Sequence, residues 1–257
     1  MRPPTRSAAV PFRPPKLKPV SPEMLALAGL WTTLTDLALA GLAVLVFVNA
    51  WAPPQDLPWK PFSLNRPVGL ATHTQFMRAA ADPALCRAAL TEGRVTFTEE
   101  PDRDLGECAT ENTVRIRDGT AVPLSPTAPV VTCPVALGYA MWTRHVVQPA
   151  ARDLLQTRIA RVEHYGTYAC RNIYGREEGR RSEHAFANAI DVASFRTAGG
   201  ARITVVGDFR DEDARGRFLR RVRDGACPWF RAVLSPDYNA AHRDHLHLDH
   251  GRWGVCR

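Results

Sequence analysis

The chain has no C-x-x-C pair. Its six cysteines, Cys86, Cys108, Cys133, Cys170, Cys227 and Cys256, are widely separated, which argues against a zinc ribbon or a thioredoxin-like site. Net positive charge is small beyond the first residues. The net charge is +7, and Arg2, Arg6, Arg13, Lys16 and Lys18 against Glu23 supply more than half of it. The remainder is too weakly basic to point to nucleic acid as a partner. No internal repeat or low-complexity segment follows residue 70, which excludes a solenoid. Histidine is sparse as well, with eight in 257 residues, yet His242, His245, His247 and His250 all fall at the C-terminal end.

Charge is also missing from residues 24–48, where Asp36 stands alone in an apolar run. A run of that length spans a bilayer, whereas a signal-peptide core is usually shorter. The reading is an uncleaved transmembrane anchor over 24–52; cleavage near Val48 and Ala50 is the alternative. The basic, proline-rich tail 1–23 reads as extended and disordered, and its charge keeps it cytoplasmic while the rest is exported. An aspartate at the centre of a span costs roughly 2.5–3.5 kcal/mol. Asp36 is therefore expected near the cytoplasmic surface, with a partner helix as the second explanation. Export makes disulfides the expected state of the cysteines; buried free thiols are the alternative.

Residues 53–69 contain Pro53, Pro54, Pro58, Pro61 and Pro67 and read as a stiff extended linker. Residues 70–257 are enough for one domain with a sizeable core. The pattern is α+β. Helices are expected over 74–81, 83–90, 134–156 (with Pro149 kinking or dividing it) and 212–222. Strands are expected over 94–98, 158–165, 189–195, 202–206, 230–234 and 245–249. Residues 114–117 and 121–124 read as two strands turning at Asp118-Gly119. The fold expected is a small antiparallel sheet carrying a zinc site, packed with helices and preceded by one transmembrane helix. Arg215, Arg217, Arg220, Arg221 and Arg223 read as the solvated face of a helix whose apolar side holds Phe218, Leu219 and Val222; a substrate-attracting patch is the lesser reading.

The histidine spacing suits zinc. On a strand, His245 and His247 point to one face. Ser182-Glu-His184 followed by Asp191 suggests a loop running into a strand. Two imidazoles and a carboxylate would leave a fourth position open for water, the form of a catalytic site. His250 is placed outside this site, and His73, His145 and His164 are expected to be structural or exposed. Local closure favours pairing Cys86 with Cys108; Cys227 at the end of the arginine-rich helix and Cys256 just past the histidine strand are paired to hold the C-terminus, leaving Cys133 with Cys170.

Ser182-x-His184-x-x-Ala187-x-Ala189-x-Asp191 resembles the S-x-H-x-x-G-x-A-x-D motif of D-Ala-D-Ala peptidases. His242-x-x-His245-x-His247 resembles the second motif of the same group, which includes lysostaphin and hedgehog domains. Over a longer span the chain is similar to the bacterial extensin-like C-terminal family. That likeness runs through Thr132-Cys-Pro134, Gln148-Pro-Ala-Ala151, Tyr168-Ala-Cys-Arg171, Asn239-Ala-Ala-His-Arg-Asp-His245 and the closing Cys256-Arg257. The resemblance implies His184, Asp191 and His247 as Zn²⁺ ligands, His245 as the general base or the group that stabilises the tetrahedral intermediate, and His242 as its assistant. It makes Arg171 the residue that holds the substrate carboxylate or polarises the scissile carbonyl, and Ser182 a hydrogen-bonding neighbour. Asp244 could take the role of base instead. Ala187 stands where the motif has glycine. The function implied is a zinc peptidase, endopeptidase or carboxypeptidase, anchored in the bacterial inner membrane and acting in the periplasm on peptidoglycan peptides. The alternative is a catalytically weak zinc-stabilised domain that binds cell wall or an envelope protein.

Overall fold

The computed structural model describes residues 21–257, so most of the basic tail lies outside the described residues. Two compact units result, one ending at Ala52 and the other covering Pro53–Arg257. The first contains α1 (Pro22–Trp51), whose N-terminus is capped by the Ser21 hydroxyl accepting from the Met24 N–H at 3.3 Å. α1 is long and apolar enough to cross a membrane, a test that a signal sequence also passes. Its threonines satisfy their hydroxyls within the helix: Thr32 donates to the Gly29 carbonyl and Thr33 to that of Leu30.

The second unit opens with residues 53–69, and these are not a free spacer. Leu57 and Leu64 are buried. The Gln75 amide donates to the carbonyls of Pro54 and Leu57 at 2.8 and 2.6 Å. Arg144 donates to the Leu64 carbonyl at 3.0 Å. The prolines do favour an extended chain, but leucines at 57 and 64 give that chain apolar surface to bury. The domain therefore starts at Pro53 and not near residue 70.

Two helices follow, α2 (Thr72–Ala81) and α3 (Pro83–Glu92). Asp82 separates them and caps α3 by accepting from the N–H groups of Ala84 and Leu85, with Pro83 at the first helical position where no N–H is missed. Next come β1 (Thr96–Glu99), β2 (Thr113–Asp118), β3 (Leu124–Ser125) and β4 (Val130–Thr132). β2 pairs with β1 and β4 in a three-stranded antiparallel sheet. The hairpin expected at Asp118-Gly119 does not form. The Ala121 carbonyl accepts from Gln148 and the Val122 carbonyl from the Tyr139 hydroxyl. Those bonds draw the segment onto the central helix, and β3 pairs in parallel with a strand of the second sheet.

That helix, α4 (Cys133–Trp142), is buried from Val135 through Trp142, as a helix apolar all round must be. It continues through a π-helical turn at Thr143–Val147 into α5 (Gln148–Leu155). Pro149 has no N–H for the carbonyl one turn back, and the widened turn absorbs the defect upstream of it. β5 (Ile159–His164), β6 (Ala189–Thr197), β7 (Arg202–Thr204), α6 (Val205–Asp208), α7 (Ala214–Ala226), β8 (Ala232–Leu234), β9 (Leu246–Asp249) and β10 (Val255–Cys256) complete the chain. The second sheet has the order β10-β8-β9-β6-β5-β3, with β7 also on β6. It is mixed, not purely antiparallel, because β3–β5 and β10–β8 are parallel pairs. β6 is buried along almost its whole length, so it forms the spine that the site uses.

All six cysteines are bridged, but two of the three expected pairings are replaced. The disulfides are Cys86–Cys133, Cys108–Cys170 and Cys227–Cys256, with Cα–Cα distances of 6.1, 5.6 and 5.8 Å. Local closure lost because α3 packs on α4, which sets Cys86 against Cys133. Cys108 then meets Cys170 instead of its neighbour in sequence. Cys227–Cys256 fastens β10 to the end of α7. On α7, Phe218, Leu219 and Val222 are buried, and Arg215, Arg220, Arg221 and Arg223 each pair with a carboxylate.

Candidate metal centre

Asp191 on β6 and His247 on β9 are directly opposed partners in an antiparallel pair, so their side chains leave the same face of the sheet. His184 reaches them from a 3₁₀ turn, Glu183–Phe186. Ser182 precedes that turn and its hydroxyl accepts from the His184 N–H at 3.4 Å. The turn ends at Ala187, whose φ of 53° is left-handed. The position takes a positive φ, which glycine adopts freely, and here alanine adopts it at a cost of roughly 1–2 kcal/mol. Ala187→Gly is therefore expected to leave stability within about 1 kcal/mol of wild type, since relief of strain offsets the freer unfolded chain. Ala187→Val should cost more, because a β-branched residue is poorly tolerated at positive φ. Denaturant unfolding of the two variants checks this ordering; equal losses would mean that the turn does not hold its left-handed geometry.

Three atoms converge where these elements meet. His184 Nε2 lies 3.1 Å from Asp191 Oδ1, His247 Nδ1 lies 2.9 Å from the same oxygen, and the two nitrogens are 3.2 Å apart. All three residues are buried, and together they form a set able to hold a metal ion. The outer nitrogens face acceptors. His184 Nδ1 is 3.3 Å from the Thr167 carbonyl, and His247 Nε2 is 2.8 Å from Asp249 Oδ2. With a metal bound, each outer nitrogen would carry the proton of a neutral ring, leaving a lone pair on each inner one. Two lone pairs and a carboxylate oxygen then point at one another, which repels unless a cation or a proton sits among them. Burial works against charge on His247, but hydrogen bonds to Asp191 and Asp249 outweigh it and raise its pKa to about 9. Burial also pushes Asp191 up, and hydrogen bonds from His184 and His247 more than reverse that, holding it well below the usual carboxylate range.

The other expected residues surround this cluster. His245 precedes β9 and places Nε2 3.5 Å from Asp191 Oδ1. Its Nδ1 is 2.9 Å from Asp244 Oδ1, so Asp244 stands behind the ring and not in front of it. His242 lies with its ring centroid 5.2 Å from that of His245 and 5.8 Å from that of His247. Burial first, then the neighbouring His247 and His245, lower its pKa to about 4. Its Nδ1 donates to Asn239 Oδ1 at 2.7 Å. A cavity of about 460 Å³ opens on this group, and Arg171 and Ser182 line it together with Asp191, His242, His245 and His247. His250 packs between Phe76 and Phe230. His145 and His164 bond backbone carbonyls elsewhere, and His73 is exposed on α2.

Several contributors carry no expectation from sequence. Asp249 follows His247 by two residues, so the strand period alone places it on the same face. Asn239 opens the stretch 239–245, where sequence assigns it no role. The cavity's aromatic rim of Tyr174, Tyr238 and Trp253 comes from three separate segments and leaves no local signal. The Asn172↔Arg181 bridge closes the loop that brings Tyr174 to the cavity, and Cys108–Cys170 secures its base.

No curated protein and no solved structure matches the chain. A family model described as extensin-like protein C-terminus matches residues 84–257, which takes in the whole convergent cluster, the cavity and all three disulfides. The chain belongs to the extensin-like C-terminal family.

Proposed function

We propose that this domain is a zinc peptidase, held in the bacterial inner membrane by α1 and cleaving peptide bonds in peptidoglycan stems or cross-links. The observation that carries the reading is the convergence of His184 Nε2, His247 Nδ1 and Asp191 Oδ1 at 2.9–3.2 Å. A tetrahedral zinc ion with bonds of about 2.0–2.1 Å sets its donors roughly 3–4 Å apart, and these separations fall at the short end of that range. The outer partners, Thr167 and Asp249, are of the kind that orient metal-bound imidazoles. The resemblance of the two motifs to D-Ala-D-Ala peptidases supports the substrate class.

When bound, zinc supplies Lewis acidity and a water that ionises near neutral pH. The chain's residues do the rest. His245 Nε2 faces the centre and takes the proton of the attacking water. Asp244 accepts from Nδ1–H and so keeps Nε2 free for that task, which makes His245 the base and Asp244 its positioning residue. As the C–N bond breaks, His245 returns the proton to the leaving amine. His242 assists from beside it, held by Asn239. Arg171 offers a fork of donors to a substrate carboxylate or to the carbonyl oxygen.

The test is digestion of muropeptides by the full chain in detergent, with and without a chelator. Chelator-sensitive cleavage that zinc restores is the expected result. No cleavage by a zinc-loaded protein would move the reading to a binding domain of the cell envelope.

A further inference from the structure

The cavity is lined by four arginines, Arg171, Arg180, Arg181 and Arg252, and by three acids, Glu183, Asp191 and Asp249. None of the acids neutralises an arginine. Asp191 faces the two imidazoles. Asp249 accepts from His247 and from the Gly251 N–H. Glu183 accepts from the Asn188 amide. Arg181 is taken by Glu107. Arg171, Arg180 and Arg252 have no carboxylate partner among the described residues. On α7, by contrast, four of the five arginines at positions 215–223 pair with an acid within 3.5 Å. The cavity therefore concentrates guanidinium groups that the fold leaves unmatched, and a concave wall focuses their field.

Arg180 is also positioned. Its guanidinium carbon lies 5.3 Å from the centre of the Trp253 ring. Stacking on an aromatic face holds the guanidinium while its N–H donors, which lie in the plane, remain available. Arg252 stands next to that ring in sequence. The rim thus presents two cations apart from Arg171.

Resting on the peptidase reading above, the geometry points to a substrate that carries at least two free carboxylates, one met by Arg171 and a second met at the rim by Arg180 and Arg252. A peptide whose side carboxyls are amidated offers the rim no anion and leaves both guanidinium groups unmatched. Free-acid stems are thus the preferred class and amidated stems the disfavoured one, and Arg180 and Arg252 set that preference.

The test is binding, measured by calorimetry on zinc-loaded full chain carrying His245→Ala in detergent. The probes are the pentapeptide L-Ala-γ-D-Glu-diaminopimelyl-D-Ala-D-Ala and the same peptide with both side carboxyls converted to carboxamides. Both retain the C-terminal carboxylate. The free acid is expected to bind at least about tenfold tighter at low salt, and added salt should shrink the ratio. Adding Arg180→Gln and Arg252→Gln should bring the ratio to within about twofold of one while zinc content stays at the parent value. A ratio near one in the parent, a ratio that survives the double substitution, or no binding of either peptide overturns the proposal. A protein that discriminates the peptides but cuts neither would sink the peptidase reading and leave this one standing. Cleavage of both peptides without discrimination in binding would do the reverse.

Discussion

His247→Ala is expected to lose zinc and hydrolysis together, whereas His245→Ala keeps zinc and loses only hydrolysis. The difference follows from where each ring is held. His247 Nδ1 is 2.9 Å from Asp191 Oδ1 and its other nitrogen is fixed by Asp249, so it is a member of the convergent set. His245 Nε2 stands further off, at 3.5 Å from the same oxygen, with Asp244 behind it. Loss of a general base typically costs about 10²–10⁴ in rate, and that range is the effect expected on kcat/KM for His245→Ala. Asp244→Asn should cost less, since it disturbs only the hydrogen bond that orients the ring. Metal content by atomic emission, measured beside kcat/KM, separates the cases. Equal zinc loss in both histidine variants would mean that the ligand is wrongly assigned. An inactive Asp244→Asn beside an active His245→Ala would make Asp244 the base. Because His247→Ala also leaves two buried carboxylates short of a partner, its folding is checked by circular dichroism before the metal result is read.

The cluster was legible because its geometry is local. Period two puts His247 and Asp249 on one face of β9, with His245 just before the strand, and Ser182 to Asp191 is one turn followed by one strand. The register that sets Asp191 against His247 is tertiary, and only the resemblance to a peptidase motif supplied it. The requirement at Ala187 was also legible, since a motif glycine points to a backbone demand, and φ of 53° bears that out. Much else was decided by packing that no local pattern encodes. Pairing Cys86 with Cys108 rests on closeness in sequence, but burial of α3 against α4 makes Cys133 the nearer partner. The prolines of 53–69 conceal Leu57 and Leu64, which are core residues. Residues 121–124 have the alternation of a hairpin strand, but Tyr139 and Gln148, distant in sequence, take their carbonyls. Short strands such as β4 and β10, of three and two residues, are too brief for periodicity to show.

Zinc should raise the melting temperature of the domain, and a chelator should reverse the rise. Ions that bind the native state alone stabilise it by mass action, about 4 kcal/mol at a thousandfold excess over Kd. For a domain of this size each kcal/mol moves Tm by roughly 2–4 °C, so the expected shift is on the order of 8–16 °C. The physical source is the buried trio itself. Burial opposes charge on His247, but hydrogen bonds to Asp191 and Asp249 raise it to about 9, so it holds a proton at neutral pH. An ion replaces that proton and joins the 3₁₀ turn at Glu183–Phe186 to β6 and β9 at one point. β9 is in turn paired with β8, and β8 with β10, which Cys227–Cys256 ties to the end of α7. The stabilisation is therefore expected in the global transition and not as a separate local step. Magnesium should give a much smaller shift, because it favours all-oxygen octahedral sites over imidazole nitrogen. The disulfides are kept oxidised throughout, so that zinc cannot act on free thiols. In His247→Ala the zinc shift should vanish. A wild-type Tm that zinc leaves unchanged, with no heat of binding by calorimetry, would remove the metal from the site and the peptidase reading with it.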